Sequence, residues 1–403
     1  MSKIVVLFGS LDTKGKDYAF VKERIEEKGF QAFVIDVGVM GEPLFKPDIN
    51  ADTVAKAGGE SLVSLRQKKD KGHAMAVMTK GAAEIAKKIY AEGNLDAIFG
   101  MGGSAGTAII SAAMRALPLG VPKVLVSTVA SGDTKPYVGT KDIVMIPSIV
   151  DVAGVNAISV DIYSRAVGAL TGMMETEVPE IESKPLIAAS MFGNTTKLIE
   201  QCKEIMEVEN YEVMVFHATG TGGMTMEDLI ENDYFIAALD LTTTELADEL
   251  CGGVMSAGPR RLTTAGLKGI PQVVAPGCLD MVNFWAIDTV PEKYKNRKLY
   301  PWNPNVTLMR TNPEENTKLG QIMAERLNQS KGPTAVFFPL KGLSQLDSPG
   351  EDFWWPEANK ALLYALKENL RKDIPLIEVD ANINDAEFAK AVTDKMFEFL
   401  SKR

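Results

Sequence analysis

The stretch Asp96-Ala-Ile-Phe-Gly-Met-Gly-Gly-Ser-Ala-Gly-Thr107 runs from a short apolar strand into a glycine-rich turn, and the residues from Thr107 onward predict a helix. Glycines let a backbone approach a ligand closely, and a helix N-terminus presents free N–H groups with a partial positive charge. We therefore predict that this turn binds a phosphate or carboxylate group; a tight packing turn is the alternative. The predicted contact residues are Gly102, Gly103, Ser104, Ala105, Gly106 and Thr107.

The order of strand, loop and helix recurs on both sides of this turn. Short strands that alternate with helices indicate a parallel α/β sheet. After the first strand we predict a loop over Gly9 to Gly15 and a helix over Lys16 to Lys28. The other short apolar runs typical of strands are Ile4 to Phe8, Gln31 to Val37, Lys123 to Val126 and Asp142 to Ile146.

The segment Glu175-Thr-Glu-Val-Pro-Glu-Ile-Glu-Ser-Lys-Pro185 is acidic and proline-containing, which is typical of a linker between domains, with a surface loop as the alternative. Beyond it, Ala188-Ala-Ser-Met-Phe-Gly-Asn194 repeats the pattern of Val5-Val-Leu-Phe-Gly-Ser10. We predict an α/β protein of two Rossmann-like domains with mainly parallel sheets, residues 1–178 and 184–403, related by duplication. Two unrelated halves with the same βα pattern are the alternative.

Polar residues follow the strands of the first domain. In an open α/β sheet, ligands lie beyond the carboxyl ends of the strands. Lys14 is predicted to neutralise phosphate, and Asp12 or Asp133 to hold Mg²⁺, although each could instead be a cap or turn residue, and the metal ligands stay unassigned. The residues predicted to gather with the glycine turn are Asp12, Thr13, Lys14, Asp36, Ser127, Thr128, Ser131 and Gly132.

The spacing Gly100-x-Gly102-x-x-Ala105 matches the dinucleotide-binding fingerprint. That fingerprint also needs an acidic residue about 20 positions further on, at the end of the next strand. Here the next strand ends in Ser127-Thr128, which disfavours NAD. The turn also lacks the Gly-Lys-Ser/Thr sequence of a Walker-type phosphate loop.

The second domain carries a separate group of candidate residues. His217 and Asp240 each close an apolar strand before a loop rich in Gly and Thr, so we expect them to approach each other and the carboxylate to raise the pKa of His217 above its usual ~6.5. Arg260 and Arg261 suit a carboxylate or phosphate ligand. A structural role for His217 stays open. The predicted catalytic residues are His217, as an acid or base, with Asp240, Glu245 and Arg310.

Composition excludes several classes of protein. The net charge is −10 and no long basic stripe is present, which disfavours nucleic-acid binding. No apolar run reaches the ~18 residues that a membrane span needs. The three cysteines are widely spaced without a CxxC motif, which is typical of a reduced, cytoplasmic setting.

Six segments together resemble the Tm-one-like ATP-binding family, the N-terminal half of the tomato mosaic virus resistance protein and its bacterial homologues. The resemblance implies two Rossmann-like domains, ATP with Mg²⁺ bound by the first, and a homodimer or higher homo-oligomer. The segments are Gly9-Ser-Leu-Asp-Thr-Lys-Gly15, Gly100-Met-Gly-Gly-Ser-Ala-Gly-Thr107, Ser127-Thr-Val-Ala-Ser-Gly-Asp133, Phe216-His-Ala-Thr-Gly-Thr-Gly-Gly223, Leu239-Asp-Leu-Thr-Thr-Thr-Glu245 and Val306-Thr-Leu-Met-Arg-Thr311.

The first functional hypothesis is therefore an ATP-binding protein whose glycine turn holds the nucleotide phosphates. The second is a metabolic enzyme that acts on a small anionic substrate, a carboxylate or sugar acid, with His217 as acid or base. The third is a protein-interaction module, because the plant relative acts by binding a viral protein. The polar residues at the loops of the second half favour an enzyme over a module.

Overall fold

A computed structural model describes residues 2–181 and 184–402 of the chain, which divides into two units between Glu180 and Ile181. The division falls within the predicted acidic linker, of which residues 182 and 183 lie outside the described part. The α/β class with mainly parallel sheets is confirmed. Among the helices that the structure describes, none combines the length and hydropathy that a membrane span requires.

The first unit contains a five-stranded, fully parallel sheet with the strand order β2-β1-β3-β4-β5. Val6 and Phe8 pack on one face of the sheet and Val5 and Leu7 on the other, because helices cover both faces. The strands are β1 (Ile4–Gly9), β2 (Gln31–Asp36), β3 (Ala97–Gly102), β4 (Lys123–Ser127) and β5 (Val144–Pro147).

The helices of the first unit connect these strands and differ from the sequence prediction at one start. The helix after β1 begins at Leu11 and not at Lys16, so the prediction of a loop to Gly15 is wrong. The Leu11 N–H donates to the Asp36 carboxylate at 3.0 Å, and this contact lets the helix begin immediately after the strand. The helices are α1 (Leu11–Glu27), α2 (Ala51–Gly58), α3 (Leu62–Lys68), α4 (Lys71–Ala91), α5 (Ser104–Arg115), α6 (Lys135–Val138) and α7 (Ala157–Glu175).

The second unit contains a six-stranded parallel sheet and a small antiparallel sheet. The six-stranded sheet has the order β14-β13-β9-β8-β6-β7, and the three-stranded sheet has the order β10-β12-β11. The strands are β6 (Leu186–Met191), β7 (Glu212–His217), β8 (Ala237–Thr242), β9 (Gln272–Gly277), β10 (Met281–Phe284), β11 (Leu299–Asn303), β12 (Val306–Arg310), β13 (Thr334–Pro339) and β14 (Leu376–Val379).

Helices pack on both faces of the six-stranded sheet as well. Ile187 and Ala189 of β6 face one core and Ala188 faces another, as expected for a strand buried on both sides. The helices are α8 (Thr196–Val208), α9 (Thr221–Glu231), α10 (Glu245–Cys251), α11 (Thr264–Lys268), α12 (Pro313–Leu327), α13 (Pro356–Asn369) and α14 (Ala386–Leu400).

The two units share the arrangement of their first four strands. The order β2-β1-β3-β4 in the first unit corresponds to β7-β6-β8-β9 in the second. In each case the first strand in sequence lies between the second and the third. This common order supports the predicted relationship between the two halves, and it creates an equivalent reversal of strand order in each unit.

Candidate functional site

The reversal of strand order in the first unit lies between β1 and β3. Helix α1, which follows β1, packs on one face of the sheet through Tyr18 and Val21, whereas α5, which follows β3, packs on the other through Ile109 and Ile110. Two neighbouring strands whose helices leave in opposite directions open a crevice at their carboxyl ends, and open α/β sheets bind ligands there. The predicted residues after β1, β2 and β3 lie around this crevice.

A buried tyrosine bridges the two strands that form the crevice. The Tyr18 hydroxyl lies 2.6 Å from the Phe8 carbonyl and 2.8 Å from the Met101 carbonyl, and it accepts a hydrogen bond from the Met101 N–H at 2.6 Å. A Cβ added to Gly9 would lie 2.1 Å from the Tyr18 ring, so glycine is required beside it. The tyrosine thus replaces direct pairing between β1 and β3 where the crevice begins.

The predicted glycine turn lies at the crevice, and α5 begins three residues earlier than expected, at Ser104. Gly103 occupies the N-cap position, and no described side chain caps this helix end. The N–H groups of a first helical turn have no partner within the helix. Ser104 and Ala105 are exposed. A Cβ on Gly103 would meet only the Thr128 hydroxyl, at 3.8 Å, so the turn faces open space.

The last residue of β4, Ser127, is buried, whereas the predicted residues that follow it are exposed. The hydroxyls of Thr107 and Ser127 lie 2.6 Å apart, and both residues are fully buried. Their contact connects α5 to the end of β4 and so fixes the position of the glycine turn. Thr128 and Ser131 are exposed and line a cavity of about 350 Å³ that continues to Asp151. Gly132, also exposed, follows them in the same loop.

Two aspartates lie on the other side of the crevice. Asp36 is buried and accepts hydrogen bonds from the N–H groups of Leu11 and Gly38, at 3.0 and 2.9 Å. Burial and, to a lesser extent, the nearby charge of Asp12 raise the pKa of Asp36. Asp12 accepts from Met40 and Gly41 through Oδ2, both at 3.0 Å, whereas its buried Oδ1 has no partner among the described residues.

The first turn of α1 presents the two other predicted residues. Thr13 is exposed and Lys14 is half-buried, and the Lys14 ammonium forms no ion pair with any residue in the described part of the chain. A lysine and an unpaired carboxylate oxygen on Asp12 therefore follow β1, and an uncapped helix end follows β3, the two strands at the reversal of strand order. This combination suits an anion that is accompanied by a cation, because each charge finds a complementary group.

The predicted carboxylates of the second unit belong to a buried ion cluster. Arg261 is fully buried, and its guanidinium donates to both oxygens of Asp240 and to Glu245, at 2.5 Å in the latter case. The second oxygen of Glu245 accepts from the N–H groups of Gly220 and Gly223 at 2.7 and 3.1 Å. The anion position at the start of α9 is therefore occupied by the protein's own carboxylate.

His217 lies apart from that cluster. Strand β6 lies between β7, which ends at His217, and β8, which contains Asp240, so the expected direct approach of the two side chains is wrong. The His217 ring stacks on Phe192, with ring centroids 5.4 Å apart. Loss of hydration lowers the pKa of His217, which corrects the expected rise. A catalytic role for His217 stays a prediction.

Arg310 lies in a third place, within a buried polar cluster that the sequence did not reveal. Its guanidinium donates to Asp347 at 3.2 Å and to Asn359 at 2.9 Å. The nearby Asp280 accepts from the Ser344 hydroxyl through Oδ2, and its buried Oδ1 has no partner among the described residues. Burial, and then Asp347, raise the pKa of Asp280 to about 7. Of the four predicted catalytic residues, Asp240 and Glu245 thus meet through Arg261, whereas His217 and Arg310 lie in two other places.

The fold and its crevices define a class, that of α/β proteins built from two Rossmann-like units. Residues 3–179 match the N-terminal domain of the "Uncharacterised protein family (UPF0261)" and residues 184–400 match its C-terminal domain, so the chain belongs to this family.

Relatives confirm the resemblance that the sequence segments indicated. A UPF0261 protein of Clostridium tetani is 52% identical over 404 residues, covering 100% of both chains. The tomato "ToMV susceptible protein tm-1(GCR26)" is 37% identical over 424 residues, covering 99% of this chain and 56% of that protein. A solved UDP-GlcNAc 2-epimerase from Methanocaldococcus jannaschii covers 100% of both chains with 10% identity and a TM-score of 0.23, which supports no argument.

Proposed function

We propose that the first unit binds ATP with Mg²⁺ in the crevice between β1 and β3. The observation that carries this proposal is the uncapped start of α5 at the reversal of strand order, facing open space. The choice of ATP rests on the resemblance of the sequence segments. A triphosphate brings several negative charges, and a helix N-terminus with a nearby lysine stabilises them.

All of the predicted residues except Thr13 have a role in this proposal. The backbone of Gly102 to Gly106 contacts the phosphates, and Lys14 neutralises part of their charge. Thr107 and Ser127 hold the turn through their buried hydroxyls. The exposed residues after β4, Thr128, Ser131 and Gly132, lie where the rest of the nucleotide extends.

Asp12 is the residue that fits the metal. Its Oδ1 is buried and has no hydrogen-bond partner in the described part of the chain, and a carboxylate oxygen is the ligand type that Mg²⁺ prefers. Magnesium bound with a nucleotide needs only one or two protein carboxylates, because phosphates and waters complete its coordination. When bound, the metal would offset phosphate charge. Asp36 holds the start of α1, and thereby Asp12, in place.

Isothermal titration of ATP-Mg²⁺ into wild type, Gly103→Asp and Gly103→Ala tests the phosphate site. A side chain at position 103 meets no atom closer than 3.8 Å, and Asp is a favourable N-cap residue, so both variants should fold. The Asp carboxylate would occupy the anion position, and we expect affinity to fall by about tenfold or more. The Ala variant should bind as wild type does.

Equal ATP affinity in wild type and Gly103→Asp would place the phosphates elsewhere and overturn the proposal. Asp12→Asn tests the metal separately, since it keeps an acceptor for Met40 and Gly41 but removes the carboxylate charge. We expect wild-type affinity for ATP to depend on Mg²⁺ and the variant to lose most of that dependence.

A further prediction concerns the choice between nucleotides. The dinucleotide fingerprint places an acidic residue at the end of the next strand, where it binds the ribose hydroxyls of NAD. Here β4 ends in Ser127 and continues to Thr128, so that position holds a hydroxyl side chain instead. We expect NAD to bind at least about tenfold more weakly than ATP, a difference of ~1.4 kcal/mol. A competition titration in which NAD displaces ATP at equal concentration would contradict this.

We also propose that the protein is a homodimer. Strand β7 lies at the edge of its sheet and carries two partly exposed apolar side chains, Met214 and Val215. An edge strand of this kind is a template for pairing with another chain, and a second copy would cover both its backbone groups and its apolar surface. The resemblance to a family of dimers also supports this proposal.

A further inference from the structure

A second cavity lies at the carboxyl edge of the six-stranded sheet, and its lining residues differ from those of the ion cluster around Arg261. Its volume is about 510 Å³, and its walls come from the segments that follow β6, β13 and β14. The Gln345 N–H donates to the Asn194 carbonyl at 3.2 Å, which joins the loop after β13 to the turn after β6. This hydrogen bond connects two walls of the cavity, so the shape of the cavity is fixed by the fold of the second unit.

Two carboxamides in the wall keep hydrogen-bonding capacity. Asn194 is 1% exposed, and its Oδ1 has no partner among the described residues. Gln345 is exposed, and within the described chain its carboxamide makes no hydrogen bond. Asn382 and Asn384, by contrast, use their side chains to brace the surrounding loops. The Asn194 Nδ2 donates to the Met281 sulfur at 3.7 Å, so Asn194 offers an acceptor, whereas the Gln345 amide can both donate and accept. A hydroxyl group can donate to the first and bind the second in either direction.

An exposed aromatic ring lies beside the same cavity. Gly193 lines the cavity, and a Cβ placed on it would lie 3.7 Å from Cζ2 of Trp302. The Trp302 side chain is 42% exposed although Tyr300 packs against it, with ring centroids 6.5 Å apart. A flat apolar surface next to hydrogen-bonding amides suits a ring that has an apolar face and polar edges.

The charges of the cavity argue against an anionic ligand. Lys197 is the basic residue of the wall, and Glu200 and Asp385 are its acidic residues. The Asp385 carboxylate already accepts from the Asn382 N–H at 2.7 Å. Two carboxylates against one ammonium give the wall no positive excess, so its polar groups suit neutral hydroxyls better than a carboxylate or phosphate.

We propose that the second unit binds a neutral, polyhydroxylated ring of the size of a monosaccharide in this cavity. One face of the ring packs on Trp302, and its hydroxyls bind Asn194 and Gln345. This site is assigned to the second unit and the nucleotide crevice to the first, so the two proposals are tested by different ligands and different variants.

Saturation-transfer difference NMR with the full chain tests this site, using neutral aldoses, neutral cyclic polyols and the matching uronic acids as probes. We expect at least one neutral probe to bind at millimolar concentration. Because the side chains of Trp302 and Gln345 are exposed, substitutions there should leave the fold intact. Trp302→Ala and Gln345→Ala should each weaken binding by about tenfold, and Trp302→Phe should retain part of the affinity. Trp285→Ala, at an exposed tryptophan outside the cavity wall, is the matched control.

Three results would overturn the proposal. The first is that no neutral probe binds, and the second is that only the uronic acids bind. The third is that a neutral probe binds wild type, Trp302→Ala and Gln345→Ala equally well, since its site would then lie elsewhere. Asn194→Asp keeps the shape of the side chain at a buried position. The melting temperature of this variant tests whether the fold is intact, and its affinity for the probe tests whether Asn194 contributes to the site.

Discussion

His217 shows how a partial loss of hydration changes a titratable residue. It stacks on Phe192, and the loss of hydration lowers its pKa. We expect NMR titration to give a pKa for His217 below its usual ~6.5, because the charged imidazolium is less well hydrated there. Phe192→Leu removes the stacked ring and should raise this pKa towards the usual value.

Assignment of the signal is simple, because His73 is the only other histidine and His217→Asn removes one of the two resonances. Since a depressed pKa means that the folded state binds fewer protons, His217 lowers stability as pH falls below about 6.5 and has no effect above it. A titration midpoint above 6.5 in wild type would show that an unseen negative charge lies near the ring.

Single residues of the first crevice were partly predictable from the sequence. The glycine turn was found because its spacing reports a strand that runs into a helix. The roles of Thr107 and Ser127 were not, since their mutual hydrogen bond depends on pairing between β3 and β4. The Oδ1 of Asp12, which has no partner among the residues that the structure describes, was also not predictable, because its position depends on the packing of the loop around Gly38.

At the scale of elements, Arg261 joins β8, α9 and α10 through its buried carboxylate partners. Arg261→Met would leave those carboxylates buried without a counter-charge. We expect the variant to lose ~3–5 kcal/mol of free energy of unfolding, the usual effect of breaking a buried pair from one side. Urea denaturation followed by circular dichroism measures this.

The adjacent Arg260 is the matched control. It pairs with Glu231 at 2.6 Å, but both side chains are more than half exposed, so Arg260→Ala should cost no more than about 1 kcal/mol. Similar losses for the two variants would mean that the carboxylates around position 261 are held by other groups, or that they are protonated when the arginine is absent.

The order of strands and helices along the chain was predictable, because short apolar runs and glycine-rich turns are local signals. The start of α1 was not, since the group that receives its first N–H is Asp36, on the next strand. The position of β6 between β7 and β8 was also not predictable from the sequence, and for that reason the expected approach of His217 to Asp240 is wrong. Sheet order is a property of the folded chain and leaves little trace in local sequence.

For the whole molecule, the testable quantity is the mass of the particle in solution. A homodimer should scatter light as about twice the 43.7 kDa of the chain at micromolar concentration, with or without ATP. Val215→Lys places a charge on the exposed edge of β7 and should produce monomers that keep the melting temperature of the fold.

A particle of 43.7 kDa in wild type would contradict the dimer. A dimer that persists in Val215→Lys would instead place the interface on another surface. The control is Val208→Lys, at an exposed valine outside the strands of the sheet, which should leave the mass of the particle unchanged.

Tyr18 has a consequence for how the first crevice responds to its surroundings. Burial raises the pKa of its phenol, so the hydroxyl keeps its proton over the whole physiological range. The separation between the ends of β1 and β3 is therefore set by a neutral aromatic spacer of fixed width, and acidification leaves that spacing unchanged. Any sensitivity of nucleotide binding to acidity would arise instead at Asp36, a few residues away, or on the phosphates themselves.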